Sequence, residues 1–253
     1  MAQAGDTHPD TAPAEPAQPC SRRRLRRIGL WGGAALACAV AVGGLLVRHE
    51  PAFYRSRSPA AALDGEPPPG QATLGRRLMT KLSALHADFV RPGPWGAAIT
   101  EAEINAWLAT DLPRNHARLL PAGVADPRVA IASRRLRVGA RVGGTMLGGV
   151  VALDVEVVLR AANQIGIVVV DARLGRLPLP RGPVTHEIAR WIDSLGMATE
   201  LRRLDGRTVL VVYIPTTHDA GATSHWLESL ALEDGEVLMA GVTRAAAPRP
   251  EQR

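Results

Sequence analysis

The chain has 253 residues, 46% of them hydrophobic and 21% charged, with a formal charge of +6, which is enough chain for one domain of ordinary size with a full core. Its two cysteines, Cys20 and Cys38, both lie near the N-terminus, which excludes a disulfide scaffold and a structural zinc site. Aromatic residues make up only 4%, too few for base-stacking platforms, so nucleic acid is not an expected partner.

Residues 1–20 hold four prolines among Ala, Gln and Asp without an apolar period, and such a segment cannot bury enough surface to offset the entropy of ordering. Together with the cluster Arg22, Arg23, Arg24, Arg26 and Arg27 they read as a disordered cytoplasmic tail, residues 1–27. Residues 28–47, IGLWGGAALACAVAVGGLLV, carry no charge. As a helix they would be about 30 Å long, the thickness of a hydrocarbon core, and are predicted to span a membrane. Five arginines precede the span, and Arg48, Arg55 and Arg57 follow it. The positive-inside rule then leaves the N-terminus in the cytoplasm and all that follows outside. Trp31 lies near one boundary, and Phe53 and Tyr54 just beyond the other, where amphipathic rings are favoured.

Three other readings of this segment compete with the anchor. A cleaved signal would carry a small-residue site close behind its apolar region, whereas Arg48-His49-Glu50-Pro51 follows here. Ser21 to Leu25 is similar to a twin-arginine export signal, and Ala35-Leu36-Ala37-Cys38 to a lipobox, though an acylated Cys38 would leave another apolar stretch behind it. Gly29, Gly33, Ala37 and Ala41 recur every four residues, a flat ridge for self-association through the span. Any Ala/Gly-rich span yields such a stripe.

Residues 48–71 read as a Pro-rich tether, followed by an extracytoplasmic domain over 72–245 and a loose tail over 246–253. Leu74, Leu78, Leu82, Leu85 and Phe89 predict a helix over 72–90, ended by Pro92 and Pro94. Thr100 and Glu103 make a capping box for a second, short helix that stops before Pro113. Asn105 on it suits a buried polar contact or a cap better than a ligand. From Pro127 the period changes to two, predicting strands over 128–131, 135–142, 151–160 and from 165, joined by connections too short for parallel pairing. A third helix is predicted over 183–197, then a strand over 208–214 and a hairpin, 227–232 with 236–242, around Asp234-Gly235. The expected fold class is α+β: a single N-terminal transmembrane helix, then a curved antiparallel sheet with packed helices outside the membrane.

Catalytic patterns are missing from the sequence. His186-Glu187 is followed by Arg190 where a zincin would need its second histidine. The glycines from Gly139 to Gly149 join two strands and lack the Lys-Ser/Thr of a phosphate loop, and no nucleophile elbow occurs. No cofactor or metal is therefore expected, and no enzymatic activity. Arg135, Arg137 and Arg141 would project to one side of a strand, either as a plain solvated face or as a contact for anionic lipid headgroups or surface polymers.

The order of these parts, with ITEAEINAWLAT at 99–110, LGRLPLP at 174–180 and ALEDGEVLMAG at 231–241, resembles the YpmS-like group of membrane-anchored bacterial proteins. In outline it is similar to the LmeA-like phospholipid-binding proteins. The resemblance implies an elongated sheet wrapped around a helix, as in tubular lipid-binding domains, without catalytic residues. Two functions are expected from this: holding or sensing a lipid acyl chain at the cell membrane, or serving as a non-enzymatic scaffold for other envelope proteins.

Overall fold

The structure is a computed structural model and describes residues 46–56, 69–143, 148–218 and 223–245, all within one unit that runs from residue 43 to 253. The period-2 segments become two antiparallel sheets. The larger runs in the order β2 (Val124–Ala132), β3 (Arg135–Val142), β4 (Gly149–Ala161), β5 (Gln164–Leu174), β8 (Arg207–Tyr213), β7 (Ala198–Leu204), with β6 (Leu177–Pro178) paired to β5. The smaller runs β1 (Gly93–Thr100), β11 (Glu236–Ala245), β10 (Thr223–Glu233), β9 (Thr217–His218). Short loops between successive strands dictate this meander, since a two-residue connection cannot carry a chain back to start a parallel neighbour.

The helices are α1 (Ala52–Ser56), α2 (Pro69–Phe89), α3 (Glu101–Thr110), α4 (Leu112–Asn115) and α5 (Arg181–Ser194). The capping box forms as predicted: Thr100 Oγ1 accepts from the Glu103 amide and Glu103 Oε2 from the Thr100 amide. Helix α5 lays Ala189 and Ile192 on Leu210 and Val212 of β8. Its Val184 and Ile188 pack on the neighbouring group of Val155, Val169 and Ala172 from β4 and β5. Full burial of one such aliphatic side chain is worth about 1.5–3 kcal/mol.

The expected fold class is corrected. The structure is mostly sheet, at 49%, with few helices, and no helix among the described residues is long and apolar enough to cross a membrane. Of the expected span only Leu46 and Val47 are described. Gly29, Gly33, Ala37 and Ala41 lie outside the described residues, as do the arginine cluster and the C-terminal tail. The balance shifts towards sheet because two segments without a strand-like pattern pair nonetheless. In β1, GPWGAAIT, Gly93, Pro94 and Gly96 lower strand propensity, yet the strand lies at a sheet edge, paired with β11 alone, where a proline is tolerated. In β7, ATELRRL, neither face is buried, so no alternation marks it.

The tether predicted over 48–71 is also not uniform. Its first part folds onto the domain through α1, and α2 begins at Pro69.

An asparagine ties the layers together by imitating a peptide group. Asn105 on α3 donates to the Val129 carbonyl and accepts from the Val129 amide at 2.8 and 2.9 Å, and Glu101 accepts from the Ile131 amide at 2.7 Å. Backbone groups of β2, which would otherwise be open at a sheet edge, are thereby covered. The same stretch is held to the β10–β11 hairpin by Arg134 N–H to the Leu232 carbonyl, Gly235 N–H to the Ile131 carbonyl and Ser133 N–H to Asp234.

Candidate functional site

Between the sheets, at the end of α2, lies an apolar cleft of about 260 Å³. The smaller sheet contributes Trp95, Leu227, Leu230 and Met239; the larger contributes Ile165, with Asn163 in the turn before it and Ile214 just beyond it; Leu85 and Phe89 of α2 close one side. A bulge in β10 between Leu227 and Ser229 makes this possible. The extra residue changes the parity of the strand, so that His225 and Leu227 before it and Leu232 after it are all buried.

Two polar side chains sit within this apolar surround, and each is tied down by hydrogen bonds. Asn163, in the β4–β5 turn with φ of 60°, donates to the His225 carbonyl and accepts from the Leu227 amide, both at 2.6 Å. His225 is 2% exposed, and its ring stacks on Phe89 at 3.8 Å between centroids. Thr243 donates its hydroxyl proton to the Phe89 carbonyl at 2.9 Å. That hydroxyl can only accept from His225 Nδ1 at 3.1 Å, which assigns the proton to Nδ1 and leaves Nε2 to accept from Thr223 at 3.3 Å. An imidazole so engaged orders the wall of the cleft. The buried Trp95 Nε1, in contrast, has no hydrogen-bond partner among the described residues.

Sequence reasoning pointed to other residues. Arg135, Arg137 and Arg141 do lie on one face of β3, about half exposed, and each meets a carboxylate: Arg135 and Arg137 reach Asp154 at 3.6 and 3.5 Å, and Arg141 reaches Glu50 at 2.6 Å. Asn105 serves as the structural clamp described above. His186 is exposed and donates from Nδ1 to the Gly182 carbonyl at 2.9 Å, and no cluster of metal-ligating residues occurs among the described residues. On the outside of β7 and β8, hydrogen bonds from Arg202 and Tyr213 hold the Glu200 carboxyl at about 2. This exposed group is internally satisfied. His225 and Asn163 escaped notice because their roles arise from contacts across the sheets; the available signal was a histidine inside an apolar strand and an asparagine in a tight turn, a residue type suited to positive φ.

The segment after residue 45 forms a second constellation. The Tyr54 side chain, fully buried, donates to the Asp126 carbonyl at 2.7 Å and lies 3.0 Å from Asp126 Oδ2. Arg128 stacks 4.0 Å over the Tyr54 ring, donates to the Tyr54 carbonyl at 2.7 Å and pairs with Asp126 at 2.6 Å. Burial, and then the Asp126 carboxylate, push the Tyr54 phenol up, so it remains a donor. Gly139 leaves room for this packing, since a Cβ there would come 2.7 Å from the Tyr54 ring and 3.0 Å from Phe53.

No protein-family model, curated protein or solved structure matches the chain, so the resemblance noted above rests on its three short motifs alone.

Proposed function

We propose that the chain is a membrane-anchored, non-enzymatic binding module, held by residues 28–47, whose extracytoplasmic domain takes one apolar chain into the inter-sheet cleft. The observation that carries this reading is the almost wholly apolar lining of the cleft. Apolar cavities stay dry and accept apolar guests. At about 260 Å³ the cleft lies just under the roughly 300–1,000 Å³ of sites that enclose drug-sized ligands. The fitting guest is a single acyl segment rather than a two-chain lipid.

The cleft and Val47, the last residue of the proposed anchor, sit at opposite ends of β4. Asn163 follows its last residue, while Gly149, its first, touches Val47. Thirteen residues separate these ends, about 40 Å along the strand. An acyl segment in the cleft is thus held away from the point where the chain leaves the bilayer.

The test is native mass spectrometry of the full chain in nanodiscs together with titration of a fluorescent fatty acid. Saturable binding is expected, lost on Leu227→Trp, which fills the cleft. Absence of binding, or wild-type binding by Leu227→Trp, overturns the reading.

A further inference from the structure

Chain that leaves a membrane span usually does so as a tether, but here residues 46–56 are folded into the domain. Arg176 donates its backbone N–H to the Leu46 carbonyl at 2.9 Å. At Gly175, φ is 60° and a Cβ would overlap the Leu46 and Val47 backbone; at Gly149 a Cβ would come 2.7 Å from the Val47 carbonyl oxygen. Two glycines thus form a seat for the last residues of the apolar run. Further along, Glu50 is bound by Arg141 at 2.6 Å, and Tyr54 is locked between Asp126, Arg128 and Gly139 as described above.

We infer that this segment is a clamp that stands the domain directly on the bilayer, with the turn between β5 and β6 and its Arg176 against anionic lipid headgroups. The inference rests on residues 28–47 being the anchor. Given that, the register of the clamp decides which surface meets the membrane. Val47 is the last uncharged residue of the run, and the atoms that touch it and Leu46 belong to Gly149, Gly175 and Arg176. That end of the larger sheet therefore lies at headgroup depth, and the end carrying Arg134 and Asn163 faces away.

The charge of the seat agrees with this placement. Arg48 follows the seat in sequence, Arg141 pairs with Val150 beside Gly149, and Arg173 and Arg176 flank Gly175, against Glu50 and Asp171. Glu50 binds Arg141 and Asp171 binds Arg173 at 2.6 Å, while the exposed Arg176 makes no ion pair with the described residues. The stripe Arg135, Arg137 and Arg141 is satisfied by carboxylates within the domain, whereas the turn carries an exposed cation without an ion pair among the described residues. An arginine at an anionic surface is attracted over about a Debye length, and a turn seated on the span lies well inside that range.

The test uses the full chain with Cys20→Ser and Cys38→Ala, a nitroxide on Pro178→Cys or, at the far end, on Glu233→Cys, reconstituted in vesicles of phosphatidylcholine and phosphatidylglycerol. The label at 178 is expected to be at least fivefold less accessible to a water-soluble nickel chelate than that at 233. Adding Arg176→Glu should raise its accessibility at least threefold. Equal accessibility at 178 and 233 in a chain that resists alkaline carbonate overturns the clamp alone, and release of the chain by carbonate overturns the anchor as well. Arg176→Glu without effect refutes the headgroup contact.

Discussion

Replacing Asn163 by alanine isolates the link between the sheets. The side chain makes two hydrogen bonds of 2.6 Å to the backbone of β10, and it is 5% exposed. Its removal leaves the His225 carbonyl and the Leu227 amide without these partners, at about 1–3 kcal/mol each where water cannot enter. Alanine must also hold φ near 60°, a left-handed conformation that costs an ordinary residue about 1–2 kcal/mol. The sum is about 3–8 kcal/mol, and partial hydration of the two groups through the neighbouring cleft favours the lower half of that range, about 4 kcal/mol. In a domain of this size each kcal/mol lowers the melting temperature by about 2–4 °C, so a fall of about 8–16 °C is expected. Asn163→Gly loses the same hydrogen bonds without the left-handed penalty and should melt a few degrees above the alanine variant. The assay is thermal unfolding of the full chain in mild detergent, followed by circular dichroism at 218 nm, about the β-sheet minimum. An alanine variant within 2 °C of wild type, or a glycine variant less stable than alanine, refutes the reasoning.

Other perturbations address the remaining parts. Tyr54→Phe keeps the ring under Arg128 but deletes the hydroxyl, and is expected to cost about 1–2 kcal/mol in the same melting assay; no change would show that the hydrogen bond to Asp126 contributes nothing. Gly139→Val overpacks the seat of α1 by about 1–3 kcal/mol and should raise tryptic cleavage after Arg55 at least fivefold, whereas an unchanged rate would contradict the docking of that helix. Burial raises the pKa of Glu103, but hydrogen bonds from the Lys81 ammonium and from Thr100 outweigh it and hold the carboxyl below its ordinary value. Because the folded state lowers this pKa, the stabilisation is complete above the unfolded value and disappears as pH falls through the folded one. Melting temperature should therefore drop below about pH 4.5, roughly the unfolded glutamate value, and Glu103→Gln should flatten that drop; an equal acid slope in both proteins rules the pair out as its cause.

The strands β3, β4 and β5 were legible because their two faces differ, which writes a period of two into Leu136 to Val142 and Val151 to Leu159. The capping box of α3 was legible because it is local, with Thr100 and Glu103 one turn apart. Illegible were elements created by their partners. The pairing of Pro94 with Val242 is a property of β11, not of GPWGAAIT, and β7 exists because β8 offers it an edge. Phe53 and Tyr54 were read as interfacial rings from their place in the chain, yet Tyr54 is buried by Asp126 and Arg128, more than seventy residues away. The cleft was hidden for the same reason: Trp95, Asn163 and His225 share no local pattern, and only the stacking of the sheets brings them together.

The pairing of β1 with β11 joins residue 93 to residue 243, while the larger sheet uses only residues 124 to 213. A chain delivered from its N-terminus can therefore complete the larger sheet while the smaller one still lacks its centre. Until residues 236–245 arrive, β1 has no partner and one wall of the cleft is missing, since Met239 belongs to it. Non-local closure of this kind is slow and leaves edges open in the interval. The last strand to emerge is thus the one that finishes both the fold and the binding site, and a chain that stops short of residue 236 would carry an intact meander with no cleft.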